Sequence, residues 1–169
     1  MTENRFIIAG GGIGGLAAAL GLAQKGIASI VLEKSAELSE IGAGIQLGPN
    51  AFHSFDYLGV GDAARKNAVY VDQLRLMDAM SGEEIMHIPL DEPFRKRFGN
   101  PYAVVHRGDL YGVLLQGCQD SDLIDTKVNA DVLSYEQDDR SVTARLANGE
   151  DVTGTALIAG LVVLRGGLE

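Results

Sequence analysis

The apolar positions of this chain change their period as it runs, and the changes mark out its elements. Residues 5–9, Arg5-Phe6-Ile7-Ile8-Ala9, make a short, nearly unbroken apolar run, the mark of a strand buried on both faces. Glycines then crowd residues 10–15. Ile13, Leu16, Ala17 and Leu20 recur at i, i+3, i+4 and i+7, which predicts a helix with one buried stripe. Lys25 and Gly26 predict its end, with a cation in the last turn and a glycine where the helix stops. Ile30-Val31-Leu32 is a second buried run, and Glu33 follows it. Further on, Pro49 suits the first turn of a helix that carries Ala51, Phe52, Phe55 and Leu58 to a core. Gly59 and Gly61 break that helix, and Asp62 caps a short turn through Ala63, Ala64 and Arg65.

The second half turns to β patterns. Residues 69–77 alternate as one strand, Ser81-Gly82 turns the chain, and residues 84–88 return as the hairpin partner. Residues 93–99 are ambiguous. Residues 102–105 read as a strand, and Asp109 opens a helix with Leu110, Val113, Leu114 and Gly117 along one face. Strands follow at 123–127, 132–137, 142–146, 152–153 and 156–159, with Asn148-Gly149 as a type I′ turn signal. This order predicts an α/β fold. A parallel sheet is covered by helices on one face and by a small β-meander on the other, and the hairpin at 70–88 begins a second β layer.

The glycines carry the chemistry. Gly10, Gly12 and Gly15 occupy the three positions of G-x-G-x-x-G, where a missing Cβ serves the turn, the approach of backbone to a pyrophosphate, and helix-to-strand packing. Ile13 and Gly14 complete the turn into the helix, whose unpaired N–H groups and positive dipole end face the diphosphate. Glu33 stands eighteen residues past Gly15, about where an acid reaches ribose hydroxyls. Alone, the glycine motif is weak; between a strand and a helix, with the acid in place, it predicts a dinucleotide site.

Composition narrows the alternatives. The chain has 169 residues, a formal charge of −9 and one tight cationic group, Arg95-Lys96-Arg97, which argues against nucleic acid or an anionic membrane as partner. That group is expected to be a solvated face. The eighteen uncharged residues from Phe6 to Ala23 reach the length of a membrane span, but six glycines interrupt them and each costs a helix about 1 kcal/mol. Cys118 is the single cysteine; it is expected in the core, and a reducing cytoplasm follows. His53, His87 and His106 are too scattered for a metal cluster and are expected to be structural. Met77, Met80 and Met86 read as gap fillers, and Glu83-Glu84 and Asp138-Asp139 as solvated turn acids. No residue is assigned a catalytic or metal-binding role. Glu33, Gln46 and Arg107 remain as polar candidates just beyond strand-like segments. These residues alone leave open an NAD-linked reductase or dehydrogenase domain and a non-catalytic nucleotide-binding fragment.

Three segments together resemble a known family. Residues 10–33, the run Gly42-Ala43-Gly44-Ile45-Gln46-Leu47-Gly48-Pro49-Asn50-Ala51, and His106-Arg107-Gly108-Asp109-Leu110 are similar to the N-terminal part of the single-component FAD-dependent aromatic hydroxylases. The nearest branch is that of 3-hydroxybenzoate 6-hydroxylase and salicylate hydroxylase. The resemblance implies a Rossmann-like FAD-binding domain over residues 1–160, with FAD as cofactor, NADH as co-substrate and a small hydroxybenzoate as the ring hydroxylated with O₂. By position it implies that Gly10, Gly12, Ile13, Gly14 and Gly15 hold the diphosphate and that Glu33, with Lys34 beside it, binds the adenosine ribose. It further implies that Val132 meets the adenine through its backbone, that Gln46 lies near the flavin ring and ribityl chain, and that Arg107 fixes the diphosphate and ribityl region.

The end of the chain departs from that family. The strand at 156–158 leads there into G-A-D-G, whose Asp binds the ribityl hydroxyls; here the sequence reads Ala159-Gly160-Leu161-Val162-Val163-Leu164-Arg165. The expectation is a domain truncated relative to the family, with 161–169 an aberrant tail such as a frameshift leaves. Such a chain binds FAD weakly, does not turn over alone, and self-associates through the apolar residues 161–164.

Overall fold

The computed structural model describes residues 4–39 and 42–160, and the chain divides into two compact units. Unit 1 comprises residues 1–40 and 111–169, and unit 2 comprises residues 41–110. The tail expected to self-associate lies outside the described residues.

Unit 1 is built on a parallel sheet. Strand β1 (Arg5–Ala9) feeds helix α1 (Ile13–Ala23), which returns the chain to β2 (Ala28–Leu32) beside β1. This is the predicted βαβ unit. With β8 (Ile124–Lys127) and β12 (Ala156–Ala159) the strand order is β12-β1-β2-β8, all parallel. The alternation of strand side chains sorts the sheet into two faces. Ile7, Ile30 and Leu32 pack with Ala130, Val142, Ala144, Leu146 and Val152 of the antiparallel meander β9 (Val132–Gln137), β10 (Val142–Leu146) and β11 (Asp151–Gly154). Ile8 and Val31, both fully buried, belong to the other face. Helix α1 covers Ile8: a Cβ on Gly15 would stand 3.4 Å from Ile8 Cγ2. Each such aliphatic side chain contributes about 1.5–3 kcal/mol by burial, so the layer order is fixed by which face each residue points to.

Helix α5 (Arg107–Gln119) follows β7 directly and passes from unit 2 into unit 1. Its buried residues are Leu110, Tyr111, Leu114 and Cys118. The Cys118 thiol reaches the Leu16 carbonyl at 3.5 Å, and burial pushes its pKa up to about 11.

Unit 2 holds an antiparallel sheet in the order β3 (Gly44–Leu47), β7 (Ala103–His106), β4 (Val69–Tyr70), with helices α2 (Pro49–Tyr57), α3 (Gly61–Lys66) and α4 (Glu92–Phe98) and the separate hairpin β5 (Gln73–Met77)–β6 (Glu84–Pro89). Phe52, Phe55 and Leu58 are buried as the spacing predicts. The ambiguous stretch is helical, with Asp91 at its N-cap and Gly99 in the left-handed region at φ +72° closing it. Arg95 pairs there with Asp72 at 2.6 Å.

Several expectations need correction. Residues 69–77 are two strands, because Asp72 interrupts them: its carbonyl accepts the Leu90 N–H at 2.8 Å, and β4 and β5 pair with different partners. Helix α1 ends at Ala23, so Lys25 lies past its last turn; Gly26 at φ +72° and the Ile27 N–H donating to the Leu22 carbonyl close it as a Schellman motif. The N-cap of α3 is Val60, and Asp62 sits inside the first turn. Helix α5 begins at Arg107, two residues before Asp109. At Asn148-Gly149 only the glycine has positive φ, +84°, and its N–H bonds to Leu146, so the turn is type I closed by a glycine bulge. The methionines fill no gap: Met77 and Met86 are about half exposed and Met80 is 95% exposed.

Candidate dinucleotide site

The phosphate-loop candidates are gathered at the C-terminal end of β1. Gly10 takes φ +108°, a conformation that L side chains rarely adopt, and its N–H donates to the Leu32 carbonyl at 2.8 Å. This is the turn glycine. At Gly15 a Cβ would stand 1.9 Å from the Gly10 oxygen, so helix and strand approach as closely as backbone allows. At Gly12 and Gly14 a Cβ would meet nothing within 4 Å. Gly10 and Gly15 thus do two different jobs, the turn and the close helix–strand approach, while Gly12 and Gly14 face open space. Gly12 is the N-cap and Ile13 the first residue of α1, and the Leu16 N–H already returns to the Gly12 carbonyl at 3.0 Å. The N–H groups before Leu16 have no carbonyl to reach inside the helix, and they carry its positive end.

Glu33 is aimed at this loop. Its Oε2 accepts the Gly11 N–H at 2.7 Å and its Oε1 accepts the Ser35 N–H at 2.9 Å. Partial burial works to raise its pKa, but the amide hydrogen bonds from Ser35 and Gly11, with exposed Lys34 beside it, outweigh burial and hold the carboxyl below its ordinary value. An ionised carboxylate has about four acceptor positions. Two are taken by these amides, and the rest suit ribose hydroxyls. Val132, the first residue of β9, is brought near by the same acid's backbone, since Ala130 N–H donates to the Glu33 carbonyl at 2.8 Å.

Gly11 was missed by the motif reading and proves as constrained as its neighbours. A Cβ there would lie 2.7 Å from Leu38 Cδ2 and 3.0 Å from Glu33 Cβ. Tyr111 was missed as well; its hydroxyl donates to the Gly11 carbonyl at 2.9 Å.

The other two candidates stand together in unit 2. Gln46 is exposed on β3 and accepts the Tyr102 hydroxyl at 2.5 Å. Arg107 begins α5, its N–H donating to the Ala43 carbonyl at 3.2 Å. Its side-chain stem lies against Gly42, where a Cβ would come 2.9 Å from Arg107 Cδ. Glu33 and Arg107 thus lie just beyond strands as expected, Glu33 on the parallel sheet and Arg107 on the antiparallel one, whereas Gln46 lies within a strand.

The remaining polar candidates serve local structure. His53 Nε2 lies 3.0 Å from the Phe98 carbonyl, His87 Nδ1 2.7 Å from Glu84, and His106 Nδ1 accepts the Gly108 N–H at 3.2 Å. Asp138 accepts the Arg140 and Ser141 N–H groups in its turn. Among the described residues no group of three or more His, Cys, Asp or Glu could hold a metal ion, and no helix is long and apolar enough to cross a membrane.

This geometry agrees with what the chain resembles. Residues 3–163 match the FAD binding domain family. The chain belongs to that family. It is 52% identical over 156 residues to 3-hydroxybenzoate 6-hydroxylase 1 of Aquipseudomonas alcaligenes, covering 92% of this chain and 40% of that protein. It is 46% identical over 154 residues to the 3-hydroxybenzoate 6-hydroxylase of Klebsiella oxytoca, covering 91% and 39%. Klebsiella pneumoniae HpxO, solved with FAD and uric acid, superposes with a TM-score of 0.78 at 29% identity over 92% of this chain and 38% of that one. The FAD-binding chain thus spans about 40% of the length of the curated relatives it matches.

Proposed function

We propose that this chain is the FAD-binding part of an NADH-dependent monooxygenase that hydroxylates 3-hydroxybenzoate. The observation that supports the reading is the Gly11–Glu33 hydrogen bond, which sets a carboxylate against the glycine loop in a chain 52% identical to a 3-hydroxybenzoate 6-hydroxylase. The residues present fit the cofactor: Gly12 and Gly14 leave open space beside the amides of a helix N-terminus.

Bound FAD supplies the redox chemistry, taking electrons from NADH and activating O₂ for hydroxylation of a phenol ring. The chain binds and orients it. The amides of Gly12, Ile13, Gly14 and Gly15 meet the diphosphate where charge and hydrogen-bond direction both favour an anion. Glu33, held ionised chiefly by the Ser35 and Gly11 amides, would accept the adenosine ribose hydroxyls, and Val132 would offer backbone to the adenine. Gln46, its oxygen engaged by Tyr102, keeps its amide N–H₂ as a donor and by the resemblance would serve the flavin ring and ribityl chain. By the resemblance Arg107 would contribute a guanidinium fork to the diphosphate and ribityl region, a charge-assisted pairing that lysine makes less specifically. No residue of this chain is assigned to the aromatic ring, so the chain alone does not hydroxylate. Its single cysteine, a buried thiol, suits the cytoplasm.

An absorbance spectrum of the purified chain with and without added FAD tests the reading, followed by NADH oxidation. The expected result is retained flavin and no oxidation stimulated by 3-hydroxybenzoate. Stimulated turnover would overturn the claim of inactivity. Thermal stabilisation by NADH without any by FAD would favour an NAD-linked reductase domain, because a ligand that binds only the folded state must stabilise it.

A further inference from the structure

We propose that Tyr111 is a positioning residue that presets the diphosphate-binding loop by holding the Gly11 carbonyl; the proposal rests on the FAD reading above. Tyr111 is 4% exposed and stands a hundred residues from Gly11 in sequence, yet its hydroxyl donates to the Gly11 oxygen at 2.9 Å. On the other side of the same residue, the Gly11 N–H donates to Glu33 at 2.7 Å. Gly11 is therefore clamped at both of its backbone groups. The flanking groups are also engaged, Gly10 N–H by the Leu32 carbonyl and Gly12 C=O by the Leu16 N–H. What these bonds leave over is the set of N–H groups in the first turn of α1, the donors an anion needs.

Helix α5 braces this arrangement at two levels. Tyr111 and Cys118 are seven residues apart, two helical turns, and so share one face. The first reaches the loop carbonyl and the second the Leu16 carbonyl one turn into α1. A loop held before the ligand arrives loses less conformational freedom on binding, so its affinity is higher. Phenylalanine would fill the same volume and leave the buried Gly11 oxygen without this donor.

The test compares Tyr111→Phe with Leu114→Val, a control one turn along the same buried helix face whose side chain carries no hydrogen-bonding group. Each protein is studied at the same interval below its own ligand-free Tm, so that a loss of stability does not mask the result. Two readouts are taken: FAD affinity by flavin fluorescence, and hydrogen exchange of the segment 10–15 without FAD. Tyr111→Phe is expected to weaken FAD binding about 10-fold, the loss of one buried hydrogen bond, and to speed loop exchange; Leu114→Val does neither. The proposal is overturned if Tyr111→Phe binds FAD within about 2-fold of the parent, or if Leu114→Val reproduces both effects. A parent chain that bound no FAD would sink the FAD reading instead, and the exchange comparison would still report whether the hydroxyl holds the loop.

Discussion

Replacing Gly15 and Gly14 by alanine, one at a time, sets two physical effects against each other at adjacent positions. Helix propensity alone favours both changes, by up to about 1 kcal/mol each. At Gly14 nothing opposes it, since the new Cβ meets no atom within 4 Å. At Gly15 the Cβ would stand 1.9 Å from the Gly10 oxygen and 3.1 Å from the Gly10 carbonyl carbon. Both are backbone atoms, and neither can rotate away. The first turn of α1 and the end of β1 would have to separate by about 1 Å, and overpacking of this kind costs roughly 1–3 kcal/mol or more. The net expectation for Gly15→Ala is a loss of about 2 kcal/mol or more. At about 2–4 °C per kcal/mol for a chain of this size, its Tm falls by roughly 4–8 °C, whereas Gly14→Ala leaves Tm unchanged or raises it by about 2–4 °C. Thermal unfolding of the ligand-free chain by circular dichroism reads both. Equal shifts in the same direction would refute the assignment of Gly15 to helix–strand contact.

Three further outcomes follow from the same geometry. Glu33 titrates below its ordinary value when folded, so its contribution to stability is complete above the unfolded carboxyl range and is lost as the pH falls through the folded value; Glu33→Gln should flatten the acid limb of a urea-midpoint profile below about pH 5, and an unchanged limb would count against the amide bonds from Gly11 and Ser35. Cys118, its pKa raised to about 11 by burial, should resist thiol reagents in the native state at pH 7 and react on unfolding; rapid native labelling would contradict the core placement. Ile85, 61% exposed on the β5–β6 hairpin, should accept Ile85→Lys with a change within about 0.5 kcal/mol in chemical denaturation, and a larger loss would mean that this hairpin is buried in solution.

The sequence was most legible where a local pattern and a long-range requirement coincide. Residues 5–33 carry the buried runs, the glycine spacing and the acid in one stretch, and each glycine's role follows from its place in the turn. Strands 132–137, 142–146 and 156–159 match the structure to the residue. What was not legible depends on partners distant in the chain. The break at Asp72 is set by the Val71 N–H donating to the Tyr102 carbonyl and the Leu90 N–H donating to the Asp72 carbonyl, which alternation within 69–77 cannot reveal. Tyr111 sits beside the stripe of Leu110, Val113 and Leu114, and only its hydroxyl hints at a polar partner. The motif leaves the Gly11 position free, and its crowding by Leu38 and Glu33 exists only once β2 lies next to β1. The α4 helix carries its end signals, an acid N-cap and a closing glycine, but its seven residues are too few to display a helical period.

If the open face of the glycine loop receives the diphosphate of FAD, a methyl group added at Gly12 stands in its way. Gly12 has φ −74° and ψ −178°, an extended conformation open to alanine, and its Cβ would meet no protein atom within 4 Å. A fluorescence titration of the parent and the Gly12→Ala variant with FAD should show an affinity lower by about 10-fold or more, since the methyl group would stand between backbone and phosphate, with ligand-free Tm lowered by no more than roughly 2–4 °C for alanine at an N-cap. Equal affinity in the two proteins would contradict the account.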